Sequence, residues 1–270
     1  YWYGKHKAAS LFGSGPVFGA NANQQMGWFH NGGGKALFKE LVQDILKLNI
    51  VSFFAMPMPT QPLGWFKSKP EGVQDLAGLK YRTVGLAADL MQKLGMSVAQ
   101  LPGGEILPAM ERGVIDAFEF NNPTSDSRFG AQDVAKNYML GSYHQATEYF
   151  EIIFNRDKFE SLPAEHQAIL EYAAEAASSA NLATGLDNYS RDLVKLQEEH
   201  GVQVYRTAQS ILDAQLKAWD ELLADLTTDP YFAKVVESQK EWVKRVVFYE
   251  LYNAADQKLA YEHFFGPLNL

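Results

Sequence analysis

The stretch GLKYRTVGLAADLMQKLGMSVAQLPGGEILPAMERGVIDAFEF, residues 78–120, alternates short apolar runs with amphipathic segments. The apolar runs predict strands at 79–84, 97–101 and 115–120, and the helical spacing of apolar residues predicts helices at 87–94 and 105–112. Strands that alternate with helices in this way are typical of a parallel sheet covered by helices. The stretch therefore predicts the α/β class.

The flanking sequence extends the pattern in both directions. We predict a helix over 32–48 and a strand over 50–55, followed by a loop over 56–64, because the three prolines of MPMPTQPLG remove backbone donors and restrict their neighbours. The segment NNPTSDS, 121–127, is predicted as a polar turn, and a strand follows at 150–155. The carboxyl-terminal third is predicted to be mostly helical, with one short strand at 202–206.

Composition excludes several classes of protein. The 270 residues include 24 Lys plus Arg and 32 Asp plus Glu, which gives a net charge of −8 and disfavours nucleic acid as a partner. The chain has no cysteine, so disulfides, thiolate metal sites and cysteine nucleophiles are excluded. No apolar run approaches the roughly 18 to 20 residues that a membrane-spanning helix needs.

Catalytic motifs are weak. The six histidines form no HExxH pattern, and no GxSxG sequence occurs. The segment GWFHNGGGKA, 27–36, lacks the glycine six residues before Lys35 and the Ser or Thr after it that a phosphate loop requires. These observations disfavour an enzyme.

Glu119 is the most informative single residue, because it lies between Phe118 and Phe120 at the end of a predicted buried strand. A carboxylate buried there must be neutralised, paired or bound to a cation. Arg82, in the predicted strand LKYRTVG, carries a guanidinium that can bind a carboxylate through two donors, although an exposed arginine paired with a surface acid is the alternative. Gln61, in the proline-rich loop, offers an oxygen to a cation or caps the loop.

These residues belong to a longer pattern with a known resemblance. The chain carries DLxGLKxR at 75–82, LG at 94–95 and ExxPAxxxGxIDAxE at 105–119, preceded by QPLGWF at 61–66. In order and spacing this pattern resembles the solute receptors of TRAP (tripartite ATP-independent periplasmic) transporters of the DctP type. The subgroup it resembles most binds small 2-oxo or 2-hydroxy monocarboxylates together with a metal ion.

The resemblance assigns roles to individual residues. Arg82 matches the arginine that grips the ligand carboxylate, and Gln61, Glu119 and the backbone carbonyl of Phe120 match the oxygen ligands of one cation. An acidic ligand of relatives aligns with Gln145, which keeps an oxygen but lacks the charge. The further expected substrate contacts are the hydrogen-bond donors Asn121 and Tyr143 and the apolar lining residues Met56, Trp65, Phe120 and Tyr143.

The expected cation is calcium or sodium. Glu119 and one ligand carboxylate carry two negative charges and Arg82 carries one positive charge, so the sum is −1, which a monovalent ion would cancel. Relatives also use calcium. The ligand number cannot be read from the sequence, so both ions stay open.

The resemblance also implies a two-lobe, periplasmic-binding-protein-like fold, hinged by crossing strands and a long helix. We expect 1–80 and 156–200 in the amino-terminal lobe and its hinge crossings, 81–155 in the second α/β lobe, and 201–270 as a strand and long helices packing across both. Family members open with a βαβ segment of roughly 60 to 80 residues, longer than an ordinary βαβ unit. This chain begins after that segment, and we expect the sequence to be incomplete there.

The expected function is a periplasmic receptor that hands a small organic acid to the TRAP membrane permease subunits, without chemistry on the acid. The alternatives are a metal-dependent enzyme acting on a 2-oxo acid, a receptor for a larger aromatic or dicarboxylic acid, and an interaction module built on the aromatic-rich segment 241–265. A homodimer through this carboxyl-terminal helical segment is also left open, since some relatives form one.

Overall fold

In the computed structural model, which describes residues 2–268, the strands form two separate sheets. The eight strands of this described part are β1 Ile50–Met58, β2 Gly64–Phe66, β3 Lys80–Arg82, β4 Ser97–Ala99, β5 Ala117–Phe118, β6 Asn137–Leu140, β7 Glu148–Asn155 and β8 Gln203–Arg206.

Helices surround both sheets. They are α1 Ser10–Gly13, α2 Ala22–Asn31, α3 Gly34–Lys39, α4 Leu86–Lys93, α5 Ile106–Glu111, α6 Pro123–Phe129, α7 Ala131–Val134, α8 Arg156–Glu160, α9 Ala164–Glu198, α10 Gln209–Leu226, α11 Pro230–Asn253 and α12 Gln257–Phe265. A π-helical turn, Glu40–Ile45, continues α3. Within residues 2–268, every helix falls short of the length and apolar content needed to cross a bilayer.

The larger sheet has the strand order β4-β3-β5-β2-β6-β8. β3 runs parallel to β4 and β5, β6 runs parallel to β8, and β2 runs antiparallel to both β5 and β6. Alternate residues of the central strands lie in two different hydrophobic cores, one on each face of the sheet. Trp65 and Phe118 pack with α5 on one face. Phe66 and Met139 pack on the other face with residues of α4 and α10. The α/β class is confirmed.

The smaller sheet pairs β1 with β7 antiparallel, from Ile50 opposite Asn155 to Met58 opposite Glu148. The predicted loop over 56–64 is wrong at its start, because β1 continues through Pro57. The register shifts between Ala55 and Met58, and Met56 has a φ of 55°. Such an irregularity tolerates a proline, since a ladder hydrogen bond is already missing there.

The lobe boundaries differ from the expected ones. β2 lies within the expected first lobe but forms part of the six-stranded sheet, because Trp65 and Phe66 fill the cores on its two faces. β7 lies within the expected second lobe but pairs with β1. The chain therefore crosses between the sheets at 59–63 and again at 141–147.

The segment 121–127, predicted as a turn, instead begins α6. The Asn122 side chain accepts a hydrogen bond from the Ser125 N–H at 3.0 Å, and Pro123 occupies the first helical position. An asparagine cap followed by proline is a favourable helix start. β6 and α7 were not predicted from the sequence.

Three long helices connect the lobes and complete the first one. α9 packs against β1 and against α6, so it spans both lobes, and α10 packs against α4. α11 covers α2 and α3 in the first lobe, whose core contains Phe12, Trp28, Phe38, Trp219 and Phe232. α12 contributes no buried residue.

Candidate functional site

Arg82 ends β3 at the carboxyl edge of the larger sheet, and the residue is 7% exposed. Its Nε donates to the carbonyl of Leu101 at 3.0 Å, and its Nη1 donates to both the carbonyl and Oε1 of Glu119 at 2.9 Å. Because β3 and β5 pair with Arg82 opposite Phe118, the strand register itself places Arg82 beside Glu119.

Glu119 follows β5 and is 1% exposed. Burial raises the pKa of its carboxyl, while the Arg82 charge and the Gln61 hydrogen bond oppose that rise. The Gln61 Nε2 donates to Glu119 Oε2. The structure thus brings together three predicted site residues, Arg82, Glu119 and Gln61, with Glu119 between the other two.

The Thr83 hydroxyl lies beside the same carboxylate. It acts to lower the pKa of Glu119, although its geometry falls short of a hydrogen bond, and Thr83 Oγ1 has no partner among residues 2–268. This hydroxyl is fully buried. A buried hydroxyl without a partner is costly, so it marks a place where a bound ligand or ion would be stabilising.

Gln61 lies in the crossing between β1 and β2. Its N–H donates to the carbonyl of Gln145 at 3.0 Å, which ties the two crossings together. Directly before Trp65, the chain approaches β5 closely: Gly64 has a φ of 126°, and a Cβ there would lie 2.1 Å from the Phe118 carbonyl oxygen. Only glycine fits this position, which fixes the distance between the Gln61 loop and Glu119.

A buried network supports the residues after Glu119. Asp126 Oδ1 accepts from the Asn121 N–H at 2.9 Å, and its Oδ2 accepts from Trp65 Nε1 at 2.9 Å and from the Tyr138 hydroxyl at 3.0 Å. Burial raises the pKa of Asp126 to about 7. The network therefore anchors the backbone of Asn121 to the core of the second lobe.

Trp65 is fully buried in that core and stacks on Tyr138 with a centroid distance of 4.1 Å. This placement differs from the expected role of Trp65 in lining the ligand, because its indole faces Tyr138 and Asp126 rather than the Arg82–Glu119 pair. Trp65 is connected to Asn121 through Asp126, which accepts hydrogen bonds from the Trp65 indole and from the Asn121 N–H.

Glu148, which the sequence analysis missed, begins β7 and lies near this cluster. Its Oε2 accepts from Asn121 Nδ2 at 3.1 Å. Burial, together with the negative charges of Glu119 and Asp126, raises the pKa of Glu148 to about 7. The predicted strand began two residues later, at 150, so no sequence signal placed this carboxylate at a strand end facing Asn121.

The remaining predicted residues lie around the crossings. Tyr143 is held through its backbone by α10, since its N–H donates to Gln215 at 2.8 Å and its carbonyl accepts from Trp219 at 2.8 Å. Gln145 is half-buried and supplies the carbonyl that Gln61 binds. Phe120 is half-buried and stacks on Phe129 with a centroid distance of 4.2 Å.

The donor atoms of the cluster suit a hard cation. Within residues 2–268, no group of three or more histidine, cysteine, aspartate or glutamate side chains could hold a metal. A cation would therefore need amide, hydroxyl or backbone oxygens besides carboxylates. The buried amide of Gln61, the carboxylate of Glu119 and the free hydroxyl of Thr83 supply such oxygens, which are the ligands that calcium and sodium prefer.

The chain is 31% identical over 265 residues to the Monocarboxylate 2-oxoacid-binding periplasmic protein all3028 of Nostoc, covering 98% of this chain and 70% of that protein.

Solved structures of TRAP solute-binding proteins share the fold. The Colwellia psychrerythraea protein, with bound calcium and pyruvate, is 31% identical with a TM-score of 0.87, covering 98% of this chain and 79% of that one. The Pseudoalteromonas atlantica protein, with bound sodium and pyruvate, is 32% identical with a TM-score of 0.86, covering 98% and 78%. The Bordetella bronchiseptica protein, a mixed-occupancy dimer with copurified calcium and picolinate, is 29% identical with a TM-score of 0.88, covering 97% and 76%.

These relatives are transport receptors and not enzymes, in agreement with the sequence analysis. The sequence profile of the bacterial extracellular solute-binding proteins, family 7 (DctP), matches residues 11–231. The chain therefore belongs to this family, as a solute-binding protein of the TRAP transporter type.

Proposed function

We propose that the protein is a periplasmic receptor for a small 2-oxo or 2-hydroxy monocarboxylate, such as pyruvate or lactate, which it delivers to a TRAP membrane permease. The observation that carries the proposal is the buried Arg82–Glu119 pair with Gln61 at its side, located where the chain crosses between the two sheets. Ligand sites in α/β proteins lie at the carboxyl ends of the strands, as this pair does.

Arg82 is the group that binds the ligand carboxylate. Its Nε and Nη1 are used by Leu101 and Glu119, whereas Nη2 donates to no protein atom among residues 2–268. A carboxylate that approaches from the cleft can therefore take this free donor without competing with the protein. The rigid fork of the guanidinium would fix the orientation of the acid.

A bound cation would be held by Gln61, Glu119, the Phe120 carbonyl and Gln145. When bound, it would supply a positive charge that attracts both the ligand carboxylate and the neighbouring oxo or hydroxyl oxygen. Rotation of the Gln61 amide would turn its oxygen to the cation, and Glu119 would be neutralised without losing Arg82. The calcium and the sodium bound with pyruvate in the Colwellia and Pseudoalteromonas relatives support this arrangement.

A larger aromatic acid is the second candidate. The Bordetella relative contains calcium and picolinate, whose carboxylate, like that of pyruvate, stands next to a second donor atom. Both acids can use the same arginine and cation, and the space at the opposite end of the ligand decides between them.

The two crossings between the sheets form the hinge of the receptor. They are tied by the Gln61 N–H donating to the Gln145 carbonyl, and α9 joins both lobes beside them. Closure would be driven by contacts that the ligand makes only when the lobes approach each other.

Isothermal titration calorimetry with pyruvate, lactate, picolinate and acetate tests this proposal. Acetate has a carboxylate but no adjacent donor atom, so we expect pyruvate or lactate to bind about 100-fold more tightly than acetate when a cation is present. Picolinate binding tighter than pyruvate would favour the second candidate. Equal affinity for acetate and pyruvate would contradict the bridging arrangement.

The carboxyl-terminal helices are a proposed site of homodimer formation with a second copy of the chain. The exposed large apolar and aromatic side chains of residues 241–265 are Phe248, Tyr249, Leu251, Tyr252, Leu259, Tyr261, Phe264 and Phe265. So many exposed aromatic residues on neighbouring helices are unusual for a monomer, and the Bordetella relative is a dimer. Size-exclusion chromatography with light scattering tests the proposal, and a monomer mass at high concentration would contradict it.

A further inference from the structure

Thr83 lies level with Glu119 at the carboxyl edge of the larger sheet. It directly follows β3, just as Glu119 directly follows β5, and the parallel register of the two strands places Arg82 opposite Phe118. The ladder continues one step further, since the Glu119 N–H donates to the Arg82 carbonyl at 3.3 Å. Residues that are level on neighbouring parallel strands project from the same face of a sheet. The Thr83 hydroxyl and the Glu119 carboxylate therefore lie side by side.

The Thr83 hydroxyl is unfavourable for the stability of the chain on its own. The residue is fully buried, and its Oγ1 has no hydrogen-bond partner among residues 2–268. A hydroxyl can donate one hydrogen bond and accept two, and burying it with none of them made costs free energy. Such a group calls for an explanation, and a partner that binds from outside the chain provides one.

The carboxylate of Glu119 can accept a further hydrogen bond from this hydroxyl. Its Oε1 accepts from Arg82 Nη1 and its Oε2 accepts from Gln61 Nε2, and within the described chain these bonds leave lone pairs unused on both oxygens. Burial raises the pKa of Glu119, and the Thr83 hydroxyl is close enough to act against that rise. A small adjustment of the Thr83 side chain would let its hydrogen reach Glu119 and leave its oxygen available to another partner.

We propose that Thr83 is a further, uncharged ligand of the cation, with its hydroxyl oxygen turned to the ion and its hydrogen donated to Glu119. This inference rests on the proposed function, because it requires the cation that Gln61 and Glu119 are proposed to hold. Calcium and sodium both take oxygen ligands, and a hydroxyl supplies one without adding charge. In the loaded receptor the buried hydroxyl gains both kinds of partner that it lacks without the ion.

Two consequences distinguish this role from a merely structural one. Because the hydroxyl is uncharged, it does not alter the net charge of the site, so Thr83 should strengthen the binding of calcium and of sodium alike. Without a cation the same hydroxyl lacks a partner, so an apolar side chain of the same shape should leave the protein equally stable or more stable. A threonine that only held Glu119 in place would instead be needed for stability when no cation is present.

The substitutions Thr83→Val and Thr83→Ser separate the hydroxyl from the shape of the side chain. For the full chain, calorimetry measures calcium binding without acid and pyruvate binding in sodium buffer, and urea unfolding is followed in sodium-free buffer with chelator. We expect Thr83→Val to weaken both bindings about tenfold, and Thr83→Ser to stay within about threefold of the wild-type protein. The urea midpoint of Thr83→Val without cation should equal or exceed that of the wild-type protein.

Thr124→Val provides the matched control. Thr124 is buried in α6, which packs against α9, and its hydroxyl likewise makes no hydrogen bond within the described part of the chain. The substitution therefore removes a buried hydroxyl from a helix that supplies none of the proposed ligands. We expect its calcium and pyruvate affinities to match those of the wild-type protein, and a loss as large as that of Thr83→Val would contradict the proposal.

The outcomes distinguish this inference from the proposed function. If the wild-type protein shows cation-linked pyruvate binding and Thr83→Val keeps full calcium affinity, the role of Thr83 is wrong and the proposed function stands. A Thr83→Val variant that is less stable without cation yet binds calcium normally would make Thr83 a structural partner of Glu119 only. Equal losses by Thr83→Val and Thr83→Ser would assign the effect to packing and overturn the role of the hydroxyl. If the wild-type protein binds pyruvate without any cation, both proposals are wrong.

Discussion

One guanidinium nitrogen of Arg82, Nη1, donates to both the backbone carbonyl and the carboxylate of Glu119, each at 2.9 Å. The Glu119 N–H in turn donates to the Arg82 carbonyl at 3.3 Å, so backbone and side chains connect the same two residues. Removing one member of such a buried pair leaves the other charge without a partner. The same pair therefore contributes both to the stability of the second lobe and to the proposed binding of the acid.

Arg82→Ala should weaken binding of the organic acid by about 2 to 5 kcal/mol, because a buried charge loses its partner. Calorimetric titration with pyruvate checks this, after circular dichroism has shown that the variant is folded. Arg206→Ala, at an exposed arginine on β8, is the control and should bind normally. A folded Arg82→Ala variant with unchanged affinity would remove Arg82 from the site.

Glu119→Gln should weaken cation and acid binding together, because it keeps the shape of the side chain and removes the charge that attracts the cation. We expect each affinity to fall by tenfold or more, on the order of 1.4 kcal/mol or more. Glu111→Gln is the control, because it removes the same single negative charge as Glu119→Gln but at an exposed position in α5. Full-strength acid binding by Glu119→Gln without metal would be incompatible with a bridging cation.

Gly64→Ala should destabilise the protein by about 3 kcal/mol or more. The substitution strains the backbone at a positive φ, and the added Cβ clashes with backbone atoms that cannot move aside as a side chain could. The added Cβ would lie 2.1 Å from the Phe118 carbonyl oxygen. Urea unfolding measures the effect. Gly104→Ala is the control, because a Cβ there meets no atom within 4 Å. Equal stability of the two variants would show that β2 and β5 are further apart than described.

Asp126 gives a prediction for the pH dependence of stability. Burial raises its pKa from 3.8 to about 7, so the native state binds a proton more tightly than the unfolded state does. The contribution of Asp126 is fully present below about pH 4 and is lost as the pH rises towards 7. The free energy of unfolding of the wild-type protein should therefore fall more steeply over this range than that of Asp126→Asn.

Urea unfolding at several pH values from 4 to 8 measures this difference, and comparison of the two proteins cancels the titration of all other groups. Asp126→Asn should also be less stable at low pH by about 1 to 3 kcal/mol, because its amide group faces the Asn121 N–H donor. Parallel curves for the two proteins would show that the pKa of Asp126 is not raised in the folded state.

The sequence predicted local features better than long-range ones. The alternation between 78 and 120 predicted β3, α4, β4, α5 and β5, because each is determined by its own apolar spacing. The Asn122-Pro123 pair is a helix-start signal that could have predicted α6, but the polar composition of 121–127 favoured a turn. The pairing of β1 with β7 depends on residues about a hundred positions apart, and no local pattern contains that information.

The same distinction applies to the candidate site. Arg82 and Glu119 were recognised because both lie in one continuous motif, and Gln61 because its own short motif precedes them. Glu148 was missed because its proximity to Asn121 depends on where β7 begins and on which strand it joins. Trp65 was expected at the ligand, yet its indole N–H binds the buried Asp126, a partner that only the fold brings within reach.

The most direct test of the central claim is thermal unfolding of the full chain with pyruvate, in the presence of calcium and after its removal by a chelator in sodium-free buffer. A ligand present at about 100 times its dissociation constant adds about 2.7 kcal/mol to the free energy of unfolding. We predict that pyruvate with calcium raises the melting temperature by about 5 °C or more, and that the chelator abolishes this rise. A rise that persists without any cation, or no rise with any small 2-oxo or 2-hydroxy acid, would contradict the claim that Arg82 and a bridging cation bind the acid together.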